Sequence, residues 1–220
     1  MPAPERFGAR EFFHHPLAGA VMRVVGGQGF EAATIEEICV EAGVERAEFD
    51  RLFDGKASAV LRTFEAYIED FEIRAAEAYE EADAWPDKLR RVAYALIAWV
   101  DEHPFATKFG MVEMSDAGEM TRVRQEGVLR WCAQMVDDGR DAAPDREAVP
   151  ENASLIVVGS IAQILTRQAT DIEQVRSLVP ELMYTAIRPY LGEEAAKREL
   201  AIAPPSAPGL ADSAAGRETG

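Results

Sequence analysis

Residues 34–56, TIEEICVEAGVERAEFDRLFDGK, place apolar side chains at helical spacing on both sides of a Gly-Val turn. Ile35, Ile38, Cys39 and Ala42 fall on one face of a first short helix, and Val44, Phe49, Leu52 and Phe53 on one face of a second. Thr34 followed three residues later by Glu37 is a capping box that starts the first helix. Two short helices with one apolar stripe each can bury those stripes by crossing, so the pattern predicts a helix-turn-helix. Its polar positions carry Glu36, Glu37, Glu41, Glu45, Glu48, Asp50 and Asp54 against Arg46, Arg51 and Lys56. Seven acids against three bases leave a net of −4 where phosphate contact wants the opposite sign.

The rest of the chain is helical in pattern. Leu17, Ala20, Val21, Val24 and Val25 form a first apolar face that stops at Gly26-Gly27-Gln28-Gly29. A long helix is predicted over 56–82, another from Trp85-Pro86 to His103-Pro104, a short element over 105–114, and a further helix over 120–138. The polar loop 139–150 separates these from two strongly apolar helices, 151–168 and 172–191. Pro180 either kinks the last of these or stands in its first turn. The expected class is all-α with about nine helices: an N-terminal helix-turn-helix domain (1–54), a helical ligand-binding and dimerisation domain (55–192), and a disordered tail (193–220).

A chain of 220 residues with 48% hydrophobic and 28% charged residues folds as a globular protein. Its net charge of −16 repels nucleic acid and anionic membrane at long range, although a local basic face can prevail within a Debye length of about 8 Å. The N-terminal stretch lacks the apolar run of a signal peptide, and the longest apolar segment, 155–165, is too short to span a bilayer. A cytoplasmic protein with no membrane partner is expected. Cys39 and Cys132 sit in helical apolar patterns and read as small buried hydrophobes. His14, His15 and His103 lack metal-ligand spacing, the glycines at 26–29 follow no strand, and no nucleophile-base pattern stands out. No cofactor, metal or enzymatic activity is expected.

The stretch from Leu17 to Leu61 resembles the N-terminal signature of the TetR family of ligand-responsive transcriptional regulators. Gly29, Phe30, Thr34, Ile38, Ala42, Gly43, Val44, Phe49, Phe53 and Lys56 match at the expected spacing without gaps. Over 14–191 the resemblance implies a homodimer that binds operator DNA through Thr34, Glu45, Arg46, Glu48, Asp50, Arg51 and Lys56. The departures are local: Glu45 replaces the usual Ser, Glu48 a small hydroxyl residue, Asp50 the phosphate-contacting Tyr, and Leu52 a His or Tyr. A Glu can accept from cytosine in a major groove, whereas an Asp beside a phosphate adds repulsion. Two readings therefore stand: a regulator with an unusual operator code, and a TetR-like small-molecule-binding or protein-interaction dimer that does not read DNA.

Aromatic and Met side chains crowd the central helices, where the resemblance implies an effector cavity. Phe64, Tyr67, Phe71, Trp99, Phe105, Phe109, Met114, Trp131 and Met135 are its candidate lining, for a small apolar or aromatic effector. Glu113, Asn152 and Gln163 are candidate polar groups. The last two helices are apolar on most sides, which suits a two-fold interface through Ile161, Leu165, Leu182, Met183 and Ile187.

Overall fold

The computed structural model describes residues 8–110, 119–168 and 172–203, and these are helical throughout apart from turns and loops. The N-terminal part comprises α1 (Ala9–Phe13), α2 (Pro16–Gln28), α3 (Ile35–Ala42) and α4 (Arg46–Leu52). The body comprises α5 (Lys56–Glu80), α6 (Trp85–Glu102), the single turn α7 (Ala106–Lys108), α8 (Glu119–Asp137), the turn α9 (Gly139–Ala142), α10 (Ala153–Gln168), α11 (Ile172–Ser177) and α12 (Val179–Leu200). Sequence periodicity passes over α1, because five residues are too few to show a stripe.

Local chemistry sets the ends. His15 caps α2, its Nδ1 accepting from the Leu17 N–H at 3.2 Å, with Pro16 in the first turn. Thr34 Oγ1 accepts from the Glu37 N–H at 3.2 Å, and a Glu37 carboxylate oxygen accepts from the Thr34 N–H at 2.9 Å. That reciprocal pair closes the first turn of α3. Gly43 ends α3 at φ 68, a left-handed conformation that a Cβ would penalise. Pro180 stands in the first turn of α12, so the last helix starts there.

The apolar core does not divide at residue 54. Leu17, Val21 and Val25 of α2, Ile38 of α3 and Phe49 of α4 join one buried cluster with Val60, Phe64 and Phe71 of α5, Trp99 of α6 and Val128 of α8. The long helix α5 presents one side to α1 and α2 and the other to α6, so the N-terminal part and the body share it. A second cluster joins Trp85 and Ile97 of α6 to Val136, Val157, Val175, Val179, Met183 and Ile187.

Residues 193–200, assigned to the tail on sequence, are helical. The chain bends at Gly192, φ 79, and continues into a final segment that buries Ala196 and Glu199. Arg90 of α6 donates to Glu199 through Nη2 at 2.7 Å, and both side chains are largely buried. The remainder of the expected tail, 204–220, lies outside the described residues.

Within the expected loop 139–150, α9 forms a turn of helix. Arg140 donates to the carbonyls of Val149 (3.0 Å), Pro150 (2.7 Å) and Glu151 (3.1 Å), closing the loop on itself.

Candidate functional site

The exposed face of α4 is the surface a helix-turn-helix would offer to a major groove. Glu45, Arg46, Asp50 and Arg51 are all exposed there. Arg46 is neutralised within the protein: its Nη1 donates to Glu36 at 2.6 Å and its Nε to Asp50 at 2.8 Å. Glu45 precedes α4 without a side-chain capping bond. Glu48 turns partly inward, its carboxylate 3.6 Å from His15 Nε2. The Thr34 hydroxyl is engaged in its capping box, donating to Glu37 at 2.8 Å.

Lys56 does not extend into solvent. Its ammonium donates to the carbonyls of Phe30, Ala33 (2.7 Å) and Glu31 (3.4 Å), and lies 4.4 Å from the centre of the Phe30 ring. It therefore ties the start of α5 to the loop between α2 and α3. Of the three bases in 34–56, Arg51 is the exposed one for which no carboxylate partner is found among the described residues. Sequence spacing places these side chains on the right helices, but their pairing depends on how α3 and α4 cross.

A second site lies in the body. A cavity of about 200 Å³ opens between α5, α6, α8, α10 and α12, with Met22 of α2 and Ala106 and Phe109 of the α7 region in its wall. Of the residues expected at an effector site, Phe64, Tyr67, Phe71, Trp99, Phe109 and Met135 line it. Phe105 does not: it is 37% exposed and packs against α2, where a Cβ on Gly26 would come within 3.0 Å of its own Cβ. Trp131 stands behind the wall, its ring edge-on to Phe71 at 6.2 Å. Met114 and Glu113 lie outside the described residues. Asn152 and Gln163 are exposed and away from the cavity.

The residues predicted for a dimer interface turn inward. Ile161, Leu165, Leu182 and Met183 line the cavity, and Ile187 is fully buried among body helices. The outer face of α10 instead exposes Leu155 (50%) and Ile156 (64%), followed by Gly159, Ser160 and Gln163 at helical spacing. A helix apolar on nearly every side shows no phase in its sequence, so only its neighbours decide which side remains outside.

Polar groups in the cavity wall are few. Burial pushes the Tyr67 hydroxyl up from its ordinary value and the Cys132 thiol up to about 12, so both remain neutral. Gln125 donates from Nε2 to the Gly110 carbonyl at 2.9 Å, and the Trp99 indole N–H donates to Asp70 at 2.9 Å. Met22, Gln125 and Cys132 were not singled out as lining from sequence. Met22 lies on α2 of the N-terminal part, and periodicity carries no sign that α2 reaches the body's interior.

Among the described residues no group of His, Cys, Asp and Glu suits a metal ion, and no helix is long and apolar enough to cross a membrane.

No protein-family model matches the sequence, and no curated protein matches it. Solved structures match by shape. The fatty acid degradation regulator FadR of Bacillus halodurans is similar at a TM-score of 0.66 and 14% identity, over 78% of this chain and 96% of that one. The transcriptional regulator FadR of Bacillus subtilis, solved in complex with stearoyl-CoA, gives 0.63 and 14% over 78% and 96%. A TetR-like transcriptional regulator from Rhodococcus sp. RHA1 gives 0.61 and 13% over 83% and 97%. The chain shares the fold of these regulators, the TetR-like one among them.

Proposed function

We propose that this protein is a TetR-like, ligand-responsive transcriptional regulator that works as a homodimer. The observation that carries the reading is a capped helix-turn-helix whose core is continuous with a body containing a ligand-sized apolar cavity. A molecule entering that cavity touches α5, α6 and Met22 together, so it can bias the position of α2 and of the helices packed on it. The effector expected on this chemistry is small and apolar or aromatic. The neighbour bound to stearoyl-CoA supports a ligand role for a body of this shape.

The dimer face best supported is the outer stripe of α10, where Leu155 and Ile156 stand exposed beside Gly159. Small residues there allow a second helix to approach closely, and a two-fold pairing would bury the same stripe on both copies. Two copies would present two α4 helices to successive turns of a duplex.

The test is direct. Fluorescence anisotropy with fragments of the surrounding genome, at about 50 mM salt and upward, should reveal one palindromic site whose affinity falls steeply with salt. Absence of any site-specific binding by the folded dimer rejects operator reading.

That rejection is the outcome favoured by a second reading, a TetR-like dimer that binds a small molecule or protein and leaves DNA alone. Its support is electrostatic: Arg46 is neutralised by Glu36 and Asp50, and Lys56 is held on backbone carbonyls. An α4 surface left with Arg51 as its outward cation has little with which to displace counterions from a duplex. Protection of a defined operator at physiological salt would reject this second reading.

A further inference from the structure

We infer that the body cavity takes a molecule uncharged from end to end, of roughly ten carbons, seated directly against Met22 of the reading unit. The inference rests on reading the cavity as an effector site, and it narrows the chemistry of what enters.

Three observations carry it. No Asp, Glu, Lys, Arg or His lines the cavity among the described residues. The polar side chains in the wall are committed or neutral: Gln125 donates to Gly110, Trp99 donates to Asp70, and the Tyr67 hydroxyl and Cys132 thiol stay protonated. A carboxylate, phosphate or ammonium placed inside would lose its water without gaining an ionic partner, a cost that apolar contact does not offset.

Size sets the second limit. An apolar cavity of about 150 Å³ holds benzene, so the ≈ 200 Å³ here suits a fused bicyclic ring or a hydrocarbon of similar bulk. A long acyl chain with an anionic head exceeds both limits of this cavity.

The wall itself sets the third. Met22 is 4% exposed and lies on α2 between Val21 and Val25, which are fully buried in the reading unit. A ligand that touches Met22 thus contacts the reading unit without an intermediary. Met is also the side chain best able to adjust its shape to a guest.

The experiment uses the full chain and matched probes: naphthalene, 2-naphthoate and stearoyl-CoA. Binding is followed by the fluorescence of Trp99, which lines the cavity, and by the shift in melting temperature. Naphthalene is expected to bind at least about tenfold more tightly than 2-naphthoate, and stearoyl-CoA not to bind in the cavity. Bound naphthalene should slow amide exchange in Pro16–Gln28. Met22→Ala should weaken naphthalene binding several-fold while Met22→Leu, which preserves volume, keeps it.

Equal or tighter binding of 2-naphthoate or stearoyl-CoA overturns the uncharged class but leaves the cavity an effector site. Binding of naphthalene with no change in α2 exchange overturns the Met22 contact. Failure of all three probes to bind the folded protein overturns the effector site itself, and the inference with it.

Discussion

Arg46 and Asp50 stand one turn apart on α4 with guanidinium Nε 2.8 Å from carboxylate Oδ1, and the same guanidinium reaches Glu36 on α3 at 2.6 Å. Exposed pairs of this kind contribute about 0–1 kcal/mol each to stability, so their main consequence is for the field in front of the helix. The double variant Glu36→Gln/Asp50→Asn frees Arg46 without touching the core. Affinity for duplex DNA at about 50 mM salt should rise about tenfold, and the log-log salt dependence should steepen by roughly one unit. Anisotropy titrations measure both. No change would mean that α4 does not face DNA.

The exposed stripe on α10 predicts an assembly phenotype. Ile156, 64% exposed, replaced by Glu should give a monomer in sedimentation velocity with an unchanged circular dichroism spectrum. Ile187, fully buried, replaced by Glu should instead unfold the chain, because an unpaired carboxylate would enter the core. A dimer that survives Ile156→Glu places the interface elsewhere.

Glu199 anchors the last helical segment to α6 through Arg90. Replacing it with Ala leaves the largely buried Arg90 with Asp87 as its remaining partner. The expected cost is about 3 kcal/mol, toward the lower end for a broken buried pair. Urea denaturation of Glu199→Ala against the parent chain checks this. A loss below about 0.5 kcal/mol, the scale of an ordinary surface change, would mean that segment 193–200 contributes nothing.

Gly139 is buried under Trp85, and a Cβ there would lie inside the indole ring. Trp85 is itself fixed, its Nε1–H donating to the Met135 carbonyl at 3.0 Å and its ring edge-on to Tyr190 at 5.0 Å. Gly139→Ala should therefore destabilise by about 1–3 kcal/mol through overpacking, despite the better helix propensity of Ala. A neutral result in thermal melts would show that the indole can move aside.

His103 ends α6, its ring surrounded by Phe13 (5.6 Å), Tyr67 (5.1 Å) and Trp99 (5.2 Å), and its Nε2 is buried without a hydrogen-bond partner. Burial lowers its pKa below the ordinary 6.5, against the upward pull of Glu102 and Asp70, while Arg74 lowers it further. A histidine with a lowered folded pKa binds fewer protons when folded than when unfolded. Its contribution is therefore fully present above about pH 6.5 and is lost as pH falls through that value toward the folded pKa. Melting temperature should fall between pH 7 and 5.5 more steeply for the parent chain than for His103→Phe. Parallel slopes would remove His103 from the pH response.

The features legible in the sequence are those written in neighbouring residues. Thr34 and Glu37 specify a cap, Gly43-Val44 a turn, and the 3.6-residue stripes of α2, α3, α5 and α6 their buried faces. Six of the nine residues expected to line a cavity do line it, because aromatic and Met side chains on the central helices have few other places to go. Leu165, Met183 and Ile187 show where such reading stops. Helices α10 and α12 are apolar almost all round, and adjacent residues carry no record of which flank meets the body.

Sequence alone therefore determined α2 to α6, their boundaries within a few residues, and the acid-rich composition of α4, since these follow from short-range hydrogen bonding and periodicity. Tertiary structure alone decided that Arg46 is shared between Glu36 and Asp50, that Lys56 clamps the loop before α3, and that Met22 reaches the cavity. It also decided that α12 extends to Leu200 through the Arg90–Glu199 pair. The physical reason is range. Each of these contacts joins side chains from different elements, and it exists only once packing has set the distance and angle between helices.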